Sequence, residues 1–133
     1  MPFARLTATG PDLPAQTRAA LAADITALLE KDLFKAPEVT VVQINTVPAS
    51  HWFVAGAGIK NATGVHLEVD ITAGTNTAAE QATFIEHAYA VLNQHLGLLT
   101  TATYVVLREL GGESWGFNGM TQMARRRDPF QKS

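Results

Sequence analysis

Residues 66–72 read HLEVDIT, in which Leu67, Val69 and Ile71 alternate with His66, Glu68, Asp70 and Thr72. Alternation with period two marks a strand that has one apolar and one polar face. Sixty-three positions earlier, residues 3–9 read FARLTAT, where Ala4, Leu6 and Ala8 alternate with Phe3, Arg5, Thr7 and Thr9 in a weaker version of the same pattern. The shift of 63 holds beyond these two strands. Leu21, Ile25, Leu28 and Leu29 stand at i, i+4, i+7 and i+8, one apolar helix face within 13–33, and map onto Phe84, Ala88, Val91 and Leu92. VTVVQINT (39–46) maps onto ATYVVLRE (102–109), which carries Val42 and Ile44 onto Val105 and Leu107. Trp52 and Gly56 in HWFVAG fall on Trp115 and Gly119 in SWGFNG. One offset that holds across strand, helix and turn is a duplication.

Each half therefore reads strand, helix, strand. Two strands joined by a helix of this length form a parallel βαβ unit. The predicted fold is α+β: a four-stranded sheet from two β-α-β units, with both helices on one face. The chain is read as one domain, 1–133, with repeats about 2–59 and 65–119 and a C-terminal tail 120–133. Asp12 is the expected N-cap of the first helix, with Pro14 in its first turn. Thr77 and Glu80 form a capping box for the second, and Gly97 is its expected stop. Gly58–Gly64 (GIKNATG) is a turn between the halves. The sheet face away from the helices carries Gln43, Asn45, Tyr104 and Arg108 mixed with Val41 and Val106. That mixture fits an interface around a symmetry axis, and a wet face on a monomer is the alternative.

Composition narrows the function classes. Hydrophobic residues at 47% and charged residues at 17% fit a chain with a sizeable core. A net charge of −2 gives no basic field for nucleic acid. With no cysteine, thiolate nucleophiles and sulfur-ligated metals are excluded. No basic-then-apolar leader or run of about 20 apolar residues is seen, so a cytoplasmic protein with no membrane partner is expected. His51, His66, His87 and His95 show no metal-ligand spacing, and no metal or cofactor is expected. The run Arg125–Arg127 reads as a solvated tail or a subunit-rim contact.

Proline in second place, opening a duplicated β-α-β chain, resembles the tautomerase superfamily. Its longer branches are the macrophage-migration-inhibitory-factor-like proteins and the fused 4-oxalocrotonate tautomerases. The similarity spans 2–119 and includes KAPEVTVVQINTVPASHWFVAG (35–56) and VVLRELGGESWGFNG (105–119). It implies a homotrimer with active sites between subunits, and removal of Met1 so that Pro2 becomes the N-terminal residue. A free α-amino group titrates near ~8, and apolar surroundings lower that further. A neutral secondary amine can take a proton from carbon beside a carbonyl and return it elsewhere. The implied activity is a cofactor-independent tautomerase (isomerase) acting on a small keto–enol substrate, with Pro2 as base and acid.

The resemblance also marks Lys35, Tyr104, Phe53 and Trp115 as substrate-binding positions. Lys35 reads equally as a helix C-terminal lysine favoured by the macrodipole, and either aromatic wall residue as core. The family's carboxylate-binding arginines fall on Pro11 or Asp12, on Val42 or Gln43, and near Thr72 and Thr75; an expected asparagine is Val106. Bidentate carboxylate binding favours arginine. A monocarboxylate keto acid or a neutral carbonyl compound therefore fits better than a dicarboxylate. Two alternatives stand beside the enzyme: a non-catalytic binding or interaction protein on the same fold, and a ferredoxin-like binding module.

Overall fold

The structure, a computed structural model, describes residues 2–127. Met1 and residues 128–133, on which the removal of Met1 and the end of the tail turn, lie outside the described residues. Strands β1 (Phe3–Thr9), β2 (Val41–Val47), β5 (Val65–Thr72) and β6 (Tyr104–Leu110) form one sheet in the order β2-β1-β5-β6. β1 runs parallel to β2, β5 runs parallel to β6, and the two central strands pair antiparallel. Helices α1 (Ala15–Leu33) and α2 (Ala78–Leu96) pack on each other and on one face of the sheet. Two short hairpins complete the halves, β3 (Phe53–Val54) with β4 (Ala57–Gly58), and β7 (Gly116–Phe117) with β8 (Met120–Thr121). The bounds of α2, β6, β7 and β8 are those of α1, β2, β3 and β4 moved by 63 positions.

The alternation read in 66–72 and 3–9 places the core. Ala4, Leu6, Ala8, Leu67, Val69 and Ile71 are fully buried beneath Leu21, Ile25, Leu29, Phe84 and Leu92 from the helices. β1 reads weakly because its core positions are small, and across the ladder each alanine faces a larger residue, Ala4 opposite Val69 and Ala8 opposite Val65. Matching small to large across facing positions keeps the layer filled.

Local signals decide the helix ends. Thr77 and Glu80 make the reciprocal capping box, and Gly97 caps α2 at φ 75°. α1 departs from expectation. Its N-cap is Pro14, and Asp12 instead accepts a hydrogen bond from Thr46 Oγ1 at 2.7 Å. At its far end Phe34 adopts φ 61°, with the Phe34 N–H on Glu30 O and the Lys35 N–H on Leu29 O. This is a left-handed (αL) ending, closed by the bond from the Phe34 N–H to the carbonyl four residues back. Lys35 follows it and is only 4% exposed.

Both hairpins turn through two residues with positive φ, Ala55–Gly56 and Asn118–Gly119, as type I′ turns require. Trp52, leading into the first hairpin, lies over Gly64, where a Cβ would come within 2.6 Å of the indole. The expected tail from 120 is corrected in its first part. Met120 and Thr121 pair with β7, and α3 (Gln122–Arg126) follows with Gln122 and Arg125 buried.

Candidate active site

The face of the sheet away from the helices carries Phe3, Arg5 and Thr7 from β1, and His66, Glu68 and Asp70 from β5. Where β1 begins, a cavity of about 460 Å³ opens at the edge of this face. Pro2, Phe3, Arg5, Val41 and Asp70 form its floor, the turn before β2 contributes Glu38 and Val39, and the β7–β8 hairpin contributes Trp115, Gly116, Phe117 and Asn118. The parallel pairing of β1 with β2 brings Val41 beside Phe3, and the Val41 N–H donates to Pro2 O at 3.3 Å. Only glycine fits at 116, because a Cβ there would lie 2.0 Å from Met120 O. Trp115 is fixed by its indole N–H, which donates to Thr72 Oγ1 at 3.2 Å.

Charge on this face is shared in a ladder. Arg5 Nη2 donates to Asp70 Oδ2 at 2.8 Å, and Arg5 Nε lies 3.6 Å from Glu68 Oε2. Arg108 stands on the far side of the same two acids, 3.5 Å from Asp70 and 4.0 Å from Glu68. The Asp70 hydrogen bond, followed by the charges of Asp70 and Glu68, holds the Arg5 pKa above its ordinary value. A hydrogen bond from His66 leads the causes that lower the Glu68 pKa, with both arginines adding to it. Arg5 Nη1 has no partner among the described residues, and Arg5 is the one cation among the residues lining the cavity.

Of the residues marked from sequence, Pro2 and Trp115 meet in this cavity. Lys35, Tyr104 and Phe53 do not line it within the same chain. Lys35 lies inside, after the left-handed turn at Phe34, and its Nζ donates to Thr75 Oγ1 at 2.8 Å. Burial, with the charge of Arg126 second, lowers the Lys35 pKa to about 8. Tyr104 pairs with His66, which pairs with Thr7, so it sits at the end of the sheet away from Pro2 and is 63% exposed. Phe53 lies in the first hairpin, by Gly64 at that same far end. The antiparallel meeting of β1 and β5 separates them, because it sends the starts of the two halves in opposite directions.

Phe117 and Asn118 join the site without having been marked by the sequence, and so does Arg5 as the cation of this cavity, a role the sequence left open between Arg5 and Arg108. Arg5 lies on the polar side of the first alternating run, and the Asn118–Gly119 dipeptide is a strong hairpin signal. Among the described residues no three His, Asp or Glu side chains gather as a metal site. His87 and His95 instead pair with Asp32 (2.8 Å) and Asp24 (2.6 Å) across the two helices.

The family model described as tautomerase enzyme matches residues 2–62, the first repeat and the Pro2 strand. Native fused 4-OT superposes with a TM-score of 0.82 at 18% identity, covering 94% of this chain and 99% of that one. The first repeat thus matches the tautomerase family model, and the whole chain has the fold of fused 4-OT. A fused 4-OT in a symmetric trimer matches with a TM-score of 0.81 at 22% identity over 92% of this chain and 97% of that one. Pt0534, solved after inactivation by 2-oxo-3-pentynoate, matches at 0.80 and 19% identity over the same shares. No curated protein matches. The fold shared with these structures extends over both repeats, while the sequence model reaches only the first.

Proposed function

We propose that this chain is a cofactor-independent tautomerase in which Pro2, freed by removal of Met1, is the general base and acid. The observation that carries the reading is the placement of Pro2 in the floor of an apolar cavity walled by Trp115, Phe117, Val39 and Val41. Such walls disfavour a charged ammonium and favour the neutral form of an amine that ordinarily titrates near ~8. It takes a proton from the carbon beside the substrate carbonyl and returns it to the other end of the keto–enol system.

The open Nη1 edge of Arg5 supports a single substrate carboxylate, because Asp70 and Glu68 hold the rest of the guanidinium still. A second carboxylate would face Glu38 and Asp70 without a cation of its own. The substrate class is a small monocarboxylate keto acid. A homotrimer is part of the proposal. The open sheet face exposes Val41 and Tyr104, and a neighbouring copy would bring the exposed Tyr104 and Phe53 toward another chain's Pro2 cavity. The trimer formed by a fused 4-OT of the same fold supports this assembly.

The test is intact-mass measurement of untagged protein at pH 7, before and after exposure to 2-oxo-3-pentynoate, with the adduct mapped by peptide. Loss of Met1 and one adduct on Pro2, absent in Pro2→Ala, is expected. Retained Met1 overturns the catalytic reading. An unlabelled Pro2 in chain lacking Met1 favours a binding protein on this fold.

A further inference from the structure

The last described element does not trail from the hairpin; it folds back and fastens it. The Gln122 N–H donates to Trp115 O at 3.0 Å and the Met123 N–H to Gly112 O at 2.9 Å. Thr121 Oγ1 caps the short helix by accepting from the Ala124 N–H at 3.1 Å. From α3 the Arg125 side chain, 8% exposed, lays its guanidinium over the Phe117 ring, 3.7 Å from the centroid. The same guanidinium donates through Nη2 to the Phe117 carbonyl. One side chain therefore engages both the ring and the backbone of a residue that lines the Pro2 cavity. A cation over an aromatic face is worth more as the pair leaves water, and here the guanidinium is buried and the ring half-buried. Arg126 and Arg127, in the same basic run, are exposed.

We propose that Arg125 is a positioning residue for the Pro2 cavity. By holding Phe117 in place it sets where the aromatic wall stands, and so how tightly the cavity grips a small carbonyl compound. The proposal rests on Pro2 as the reacting group, and it gives the C-terminal basic run a role in substrate binding. It predicts a division of effects. Loss of Arg125 weakens ligand capture, whereas the proline amine, which Arg125 does not line, keeps its reactivity once the ligand is bound.

The experiment compares the parental trimer with Arg125→Met, Arg125→Lys, Phe117→Leu and the Arg125→Met/Phe117→Leu double variant. The concentration dependence of Pro2 labelling by 2-oxo-3-pentynoate separates capture from the maximal labelling rate. Hydrogen exchange of amides 115–118 reports on the hairpin directly. Arg125→Met is expected to raise the half-saturating concentration by about tenfold, the scale of a buried cation–π contact, while the maximal rate stays within about twofold. Exchange at 115–118 should speed up, Arg125→Lys should recover part of both effects, and Arg125→Met should cost clearly less in the Phe117→Leu background, where only the bond to the backbone carbonyl is left to lose. Unchanged capture and exchange in Arg125→Met overturns the proposal. An equal penalty with and without the Phe117 ring also overturns it. If Arg125→Met does not fold, the Phe117→Leu and Arg125→Lys proteins decide: parental exchange at 115–118 in both refutes the strut. Failure of the parental chain to label removes the Pro2 reading instead, and faster exchange in Arg125→Met would then leave the strut standing without that chemistry.

Discussion

Replacing Lys35 by methionine should stabilise the protein at neutral pH, and the gain should disappear in alkali. Lys35 is inside because the left-handed turn at Phe34 that ends α1 redirects the chain inward. Its pKa is lowered from 10.5 to about 8, first by burial and then by the charge of Arg126. Below pH 8 the amine is protonated in both the folded and the unfolded chain, and the folded chain carries the whole cost of the buried charge. That cost is about 3 kcal/mol, taking about 1.4 kcal/mol for each pH unit between the two values. Between pH 8 and 10.5 the unfolded chain keeps a proton that the folded chain has lost, so stability of the parental protein rises with pH across that window. Methionine has similar length and no charge. It forfeits the bond to Thr75, about 1 kcal/mol, while Thr75 keeps its own bond to Thr72 O. Lys35→Met should thus be more stable by roughly 2 kcal/mol at pH 7. Near pH 10.5 it should be slightly less stable than the parent. Urea unfolding of both proteins at pH 7, 8.5 and 10, at one protomer concentration, reads the difference. A difference that stays constant with pH, or a variant clearly less stable at pH 7, would refute the idea that a buried charge at Lys35 costs stability.

Two further substitutions separate the ends of the sheet. Arg5→Lys keeps a cation for Asp70 but loses the planar free edge, so KM for a small keto acid should rise by roughly tenfold or more, the scale of a charge-assisted bond. KM for the matching neutral ketone should hardly move, and steady-state kinetics on the pair would show it; equal effects on both would remove Arg5 as the carboxylate partner. Gly64→Ala pushes a methyl into the Trp52 indole and should cost about 1–3 kcal/mol as overpacking. Chemical denaturation measures that loss.

Much of the fold is legible in the sequence because burial there is periodic. Leu67, Val69 and Ile71 alternate, and Leu21, Ile25 and Leu29 recur at helical spacing, so one offset carries the whole β-α-β plan. Asp12 reads as a cap but is not one, because its actual partner, Thr46, is distant in sequence and only the parallel strand pairing brings it near. The site is less legible for a related reason. Pro2 is marked by its place in the chain, but whether Lys35 faces a cavity or the interior depends on the left-handed turn at Phe34, which no glycine announces. Arg125 looks identical to Arg126 and Arg127 in a basic run. Only the fold-back of α3 distinguishes a buried guanidinium from two solvated ones.

The indole of Trp52 over Gly64 has a meaning for stoichiometry. Under the shift of 63, Val65 stands where Pro2 stands and Gly64 where Met1 would be, so the first hairpin covers a peptide link as the second covers a chain start. A peptide nitrogen is an amide without basicity, whatever surrounds it. Joining two equal units therefore halves the number of amine ends while keeping every layer of the sheet. A circular permutant opened between Gly64 and Val65, with Val65→Pro, would move the terminus beneath Trp52 and Phe53 and exchange the roles of the two repeats. With Pro2 as the proposed base, the capacity for proton transfer in such an assembly would be counted in chain beginnings, not in folded units.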